Sequence, residues 1–156
     1  MTEQPSLKKR FVNFSEPLLP LNTGVVPELQ QLRNIKAVIY DFYGTLFISG
    51  VGDIGIDDGN SDANLLTDAL QSAGVQITDK QAGTAGYKIY NEIVEQQIEE
   101  LKTAYPEPDI RTIWEGVLDQ MVTDNLISIP SKEYPSEQVA AEFEMRMNPI
   151  WPMPEA

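Results

Sequence analysis

Two hydrophobic patterns divide the chain. Lys36 to Leu46 reads K-A-V-I-Y-D-F-Y-G-T-L, and Ala37, Val38, Ile39 and Tyr40 form an unbroken apolar run. A run with β-branching at Val38 and Ile39 predicts a strand over residues 36–40, buried on both faces of a parallel sheet. From Ser61 to Met147 apolar residues recur instead at three-four spacing, which predicts four helices and no strand.

The first helix is predicted from an N-cap at Ser61 to Ala73, with Leu65, Leu66, Ala69, Leu70 and Ala73 on one face and Gly74 in the stop position. The second starts at Thr78, which forms a capping-box pattern with Gln81, and turns Tyr90, Val94, Ile98 and Leu101 inward toward a break at Pro106. The third starts near Asp109 and carries the clearest stripe: Ile110, Ile113, Trp114, Val117, Leu118, Met121 and Val122. The fourth runs from Ser136 to Met147 with Val139, Ala140, Phe143 and Met147 inward, and Asn148-Pro149 ends it. Glu92, Glu95, Glu99 and Glu100 read as the solvated face of the second helix, and Trp114 as core.

Around these elements lie punctuated segments. Residues 1–22 mix charge with Pro5, Pro17 and Pro20 and read as a flexible leader whose Leu18, Leu19 and Leu21 are free to dock on a core. Pro27 to Leu32 predicts a short helix. Residues 47–57, rich in glycine, predict a loop or hairpin. Their G-x-G-x-x-G at 50–55 follows a turn rather than a strand and precedes no adjoining long helix, so it is no dinucleotide fingerprint. Asp53, Asp57 and Asp58 lack the spacing of a calcium loop.

Composition narrows the chemistry. Eleven Lys and Arg against 24 Asp and Glu give a net charge of −13, which repels nucleic acid and anionic membranes as partners. The chain holds no cysteine and no histidine. Disulfides, thiolate catalysis, a histidine base and the usual zinc sites are thereby excluded. No stretch approaches the roughly 20 apolar residues of a membrane span, and the N-terminus lacks a signal-like apolar core, so a cytoplasmic protein is expected.

The remaining chemistry centres on Asp41, at the carboxyl end of the predicted strand, where open α/β sheets bind ligands. D-F-Y-G-T-L after four apolar residues resembles the first motif of the haloacid dehalogenase-like (HAD) hydrolase superfamily, a buried strand followed by Asp-x-Asp-Gly-Thr and an apolar residue. Asp41, Gly44, Thr45 and Leu46 match. Tyr43 stands where most phosphatases of the superfamily have a second aspartate, and in this the chain is similar to the 2-haloacid dehalogenase branch. The bland alternative is an aspartate that merely opens a turn beside a glycine.

The resemblance implies an α/β fold: a partial Rossmann-like HAD core with an inserted helical cap. Residues 23–60 would carry the first strand, motif and flap, residues 61–147 the cap, and residues 148–156 a proline-rich return to the core. Two or more strands within 61–147 would sink that cap assignment. It implies Asp41 as nucleophile, Tyr43 and Thr45 in the site, and a small-molecule substrate. If magnesium is used, Asp41 and the Tyr43 backbone carbonyl would be its ligands. The later motifs have no counterpart here, so the expectation is the amino-terminal portion of a hydrolase, inactive alone and prone to self-association through an incomplete sheet edge. A phenol, with a reference pKa of about 10, is a poor proton donor to a leaving alkoxide, whereas a halide needs none; Tyr43 therefore favours dehalogenation over phosphate-ester hydrolysis. The competing readings are a non-catalytic acidic helical module that binds a protein and, more weakly, a carboxylate metal-binding protein.

Overall fold

Helices dominate the fold because their apolar stripes find one another. The computed structural model describes residues 7–22, 24–28, 30–50, 60–104 and 106–154. Among them are α1 (Leu7–Phe14), β1 (Phe47–Ser49), α2 (Asn60–Ser72), β2 (Gln76–Ile77), α3 (Ala82–Leu101), α4 (Ile110–Thr123), β3 (Ile127–Ser128), α5 (Ser136–Met147) and β4 (Ile150–Pro152). Helices and strands are both present, but the strands form two small antiparallel ladders, β1 with β4 and β2 with β3. No Rossmann-like sheet occurs among the described residues.

The four predicted helices of residues 60–147 all form, and α2 to α5 pack into one core. Leu66, Ala69 and Leu70 of α2 face Ile113, Trp114, Val117, Leu118 and Met121 of α4 and Val139 and Phe143 of α5, all buried. Gly74 stops α2 in the left-handed region at φ 81°, and the Val75 N–H donates to the Leu70 carbonyl at 3.0 Å. Asp109 caps α4, its carboxylate accepting from the Arg111 N–H at 3.0 Å.

α3 departs from expectation at both ends. Thr78 forms no capping box: its hydroxyl donates to the Asn125 carbonyl at 2.6 Å, while Asp79 accepts from the Gln81 N–H at 2.7 Å. The buried face of α3 is small, consisting of Ala82, Gly83 and Gly86, and Ile98 and Leu101 are exposed. A Cβ on Gly83 would run into the Ala63 carbonyl and the Thr67 hydroxyl, so α3 crosses α2 at close range only because that residue is glycine. Close approach at one end carries the far end past the shorter helices.

Several other expectations are corrected. Residues 36–40 form no strand: Val38, Ile39 and Tyr40 are exposed, Ile39 at 96%, and none has a ladder partner. A lone strand cannot satisfy its own backbone or cover its side chains, so nothing holds the run extended in a sheet. No helix forms at 27–32 among its described residues, and Leu32 is exposed. The leader is not uniformly loose, since α1 docks on α5, although Leu19 and Leu21 remain in solvent. The expectation of no strand in 61–147 fails at β2 and β3, two residues each, where a turn after α2 pairs with the turn after α4. Two strands inside residues 61–147 overturn the assignment of this unit as a HAD-type cap. Residues 51–59, including Asp53, Asp57, Asp58 and the later glycines of the loop, lie outside the described residues.

The segment after α5 returns beside the motif. β4 pairs with β1 in the register Phe47 to Pro152, Ile48 to Trp151 and Ser49 to Ile150. The Ser49 hydroxyl donates to the Asn148 side-chain oxygen at 2.7 Å, and the Met153 N–H to the Leu46 carbonyl at 2.9 Å. β1 and β4, which flank the helical unit in sequence, thus pair next to residues 41–46.

Candidate functional site

Asp41, Tyr43 and Thr45 lie together in one tight turn. The turn closes because Leu46 and Phe47 both donate their N–H groups to the Phe42 carbonyl, at 3.0 and 2.9 Å, while Gly44 donates to the Phe47 carbonyl at 2.7 Å. Gly44 adopts φ 78°, a left-handed conformation that side chains resist, and this makes it the residue that shapes the motif. Phe42 stacks on Phe47 with ring centroids 4.4 Å apart, and Tyr43 meets Phe42 edge-on at 5.0 Å. That aromatic trio anchors the turn to β1.

All three candidate side chains face solvent. Among the described residues no hydrogen bond or ion pair joins Asp41 to Thr45 or to any cation. A carboxylate so placed is solvated, and no described residue is placed to orient an electrophile against it. Covalent catalysis needs such an orientation and a base for the second step. The fit to magnesium is likewise incomplete: Asp41 and the Tyr43 carbonyl would supply two of the six oxygens of an octahedron, and no cluster of three metal-binding side chains occurs among the described residues. These two groups do not make a magnesium site by themselves.

The densest electrostatic arrangement is elsewhere. Glu142, fully buried on α5, takes the Arg146 guanidinium at 2.6 Å on one oxygen and the Arg10 guanidinium of α1 on the other. Arg146 also donates to the Ser72 hydroxyl at 2.9 Å and lies over the Phe14 ring at 4.4 Å. Burial drives the Glu142 carboxyl upward, but hydrogen bonds from Arg10 and Arg146, with their charges, outweigh it and hold it below its ordinary range. A sequence signal existed: Glu142 interrupts the inward stripe between Val139 and Phe143, with Arg146 one turn on.

A second grouping lies between α3, α4 and α5. Tyr90, Trp114 and Phe143 form a three-ring cluster with centroids 5.1 to 5.6 Å apart, beneath a cavity of about 390 Å³ rimmed by Arg111, Glu137 and Glu144. Arg111 reaches Asp109 and Glu137, each at 3.9 Å. Glu144 has no such counter-ion among the described residues; burial raises its carboxyl, and burial followed by the nearby Glu144 charge raises the Tyr90 phenol. Trp114, expected as core, is core.

No protein-family model, curated protein or solved structure matches the chain. No helix among the described residues is long and apolar enough to cross a membrane.

Proposed function

We propose that the chain is part of a HAD-like hydrolase in which Asp41 is the nucleophile. What supports the reading is one feature: the helical unit leaves and returns through the β1–β4 ladder, directly beside the motif turn, as an insertion placed after a first motif would. In the reaction an Asp41 oxygen attacks the carbon bearing the leaving group, a C–O bond forms as the carbon–halogen bond breaks, and halide departs with the electron pair. Water then cleaves the ester and restores Asp41. Thr45 offers a hydroxyl to the site, and Tyr43 in place of a second acid suits a leaving group that needs no proton. Pairing of residues 36–40 with further strands, from a second copy or another polypeptide, would complete the sheet that this chemistry requires.

The second reading, an acidic helical module that binds a protein, rests on the exposure of Ile39 and its neighbours and on the two-residue strands inside the helical unit. The protein isolated from its source cells, with any polypeptide that co-purifies, should be assayed on 2-haloacids and phosphate monoesters with and without chelator. The hydrolase reading expects halide release that survives chelation and disappears in Asp41→Asn. Magnesium-dependent phosphate release unimproved by Tyr43→Asp would overturn the leaving-group argument, and activity untouched by Asp41→Asn would remove Asp41 from the chemistry.

A further inference from the structure

α1 is a helix that the core does not contain. The hydrophobic cluster of α2 to α5 includes no residue of α1, which packs on α5. Among its described side chains Arg10 and Phe14, four residues apart, turn toward α5, while Phe11 and Val12 are exposed. Eight residues are too few to hold a helix alone in water, so α1 forms by docking. The face it covers is held together without it. Arg146 of α5 donates to the Glu142 carboxylate at 2.6 Å, to the Glu142 carbonyl at 2.7 Å and to the Ser72 hydroxyl of α2 at 2.9 Å. One Glu142 oxygen is left for a second guanidinium, and Arg10 fills that place. Residues 15–40, between α1 and the motif turn, form no helix and no strand among those described, so α1 is joined to the bundle by a tether rather than by a packed element. Charge favours the contact: α1 carries Lys8, Lys9 and Arg10 and no acid, whereas residues 60–147 carry sixteen Asp and Glu against six Lys and Arg.

We propose that α1 is a detachable strap on a guanidinium-binding face formed by Glu142, Arg146 and Ser72, and that the same segment offered in trans takes its place. The ligand class is a basic helix with an arginine and an aromatic residue four apart. Its arginine pairs with the second Glu142 oxygen, and its ring lies under the Arg146 guanidinium, as Phe14 does at 4.4 Å. Undocking leaves Glu142 its Arg146 partner and admits water to the other oxygen, so the strap opens without stranding a buried charge. An element with so little apolar burial belongs to the parts of a fold that open before the whole unfolds. The occupant nearest at hand in trans is the α1 of a second copy, reached by exchange of identical helices.

The probe is a synthetic peptide of residues 1–16, titrated into the full chain, with anisotropy of the labelled peptide and amide chemical shifts of α2 to α5 as readouts. Arg10→Glu in the chain sets two carboxylates against each other and should release its own α1. Helical shifts at residues 7–14 should then disappear while those of the bundle persist away from Glu142. A strap docked about nine-tenths of the time, at an effective concentration on the order of 1 mM, requires an untethered Kd of about 0.1 mM. The released chain should bind the peptide near that value, and the parent, whose own α1 competes, about tenfold more weakly. A peptide carrying Arg10→Glu should not bind, and added salt should weaken the parent peptide severalfold. Four results would overturn the proposal: no saturable binding to the released chain up to about 1 mM, equal binding by parent and released chain, an Arg10→Glu peptide as tight as the parent peptide, or an α1 that stays docked in the Arg10→Glu chain. If Arg10→Glu unfolds the bundle, Arg10→Ala is the second variant, and collapse of both makes α1 part of the core and ends the proposal. No readout involves Asp41, so failure here leaves the hydrolase reading intact, and loss of that reading leaves this one intact.

Discussion

Residues 35–43 and residues 60–147 are both rich in apolar side chains, yet one region lies in solvent and the other forms the core. Ile39 is 96% exposed; Leu66 and Leu70 are fully buried. Hydrophobicity does not separate them, since A-V-I-Y is as apolar as any helical stripe in the chain. The difference is where the backbone hydrogen bonds go. A helix satisfies its own peptide groups and needs only one covered face, whereas a buried strand needs neighbours on both edges. The helical region contains its partners within the sequence, and the strand-like run pairs with no strand among the described residues.

The sharpest way to break this comparison is to remove charge from the helical region. Glu142→Ala leaves Arg10 and Arg146 facing each other in a buried place, and chemical denaturation should show a loss of about 3 to 5 kcal/mol. A loss under 1 kcal/mol would mean that water reaches the cluster. Next comes a matched pair. Leu70→Ala should cost about 2 to 5 kcal/mol and Ile39→Ala less than about 0.5. Similar costs for the two would show that residues 35–43 are packed in solution.

Gly83→Ala pushes a methyl into the α2 backbone and should destabilise by about 1 to 3 kcal/mol, although alanine ordinarily favours a helix. A stabilised variant would mean that α3 and α2 lie further apart. The smallest effect is a slope. With its folded carboxyl held below the ordinary 4.5, Glu142 contributes stability that is whole above that value and is lost as pH falls through the lower folded one. Unfolding free energy followed from pH 7 to pH 3 should therefore fall less steeply in Glu142→Gln than in the parent.

The elements that were legible in sequence are those whose partners are local. The bounds of α4 and α5 follow from Asp109, Asn148-Pro149 and their three-four stripes, and the end of α2 follows from Gly74. What escaped depends on distant contacts. Thr78 and Gln81 spell a capping box, but the turn after α4 supplies the Asn125 carbonyl and takes the Thr78 hydroxyl. Ile98 and Leu101 continue a helical pattern beyond the length of the helices they would pack on. α1 is held by Arg10 and Phe14 through residues more than 120 positions away on α5, and nothing in L-K-K-R-F-V-N-F announces them. At the candidate site, the sequence identified the turn around Gly44, while the strand before it needs pairing that these residues cannot provide.

The β1–β4 ladder gives the helical unit the topology of a closed loop. Ser49 and Ile150 are paired neighbours, so everything between them is, for the rest of the chain, an excursion that begins and ends at one point. Closing a flexible excursion of that length would cost about 4 kcal/mol in chain entropy, growing only with the logarithm of its length. A folded, compact excursion removes part of that cost, which helps a three-residue ladder too weak to stand alone to persist.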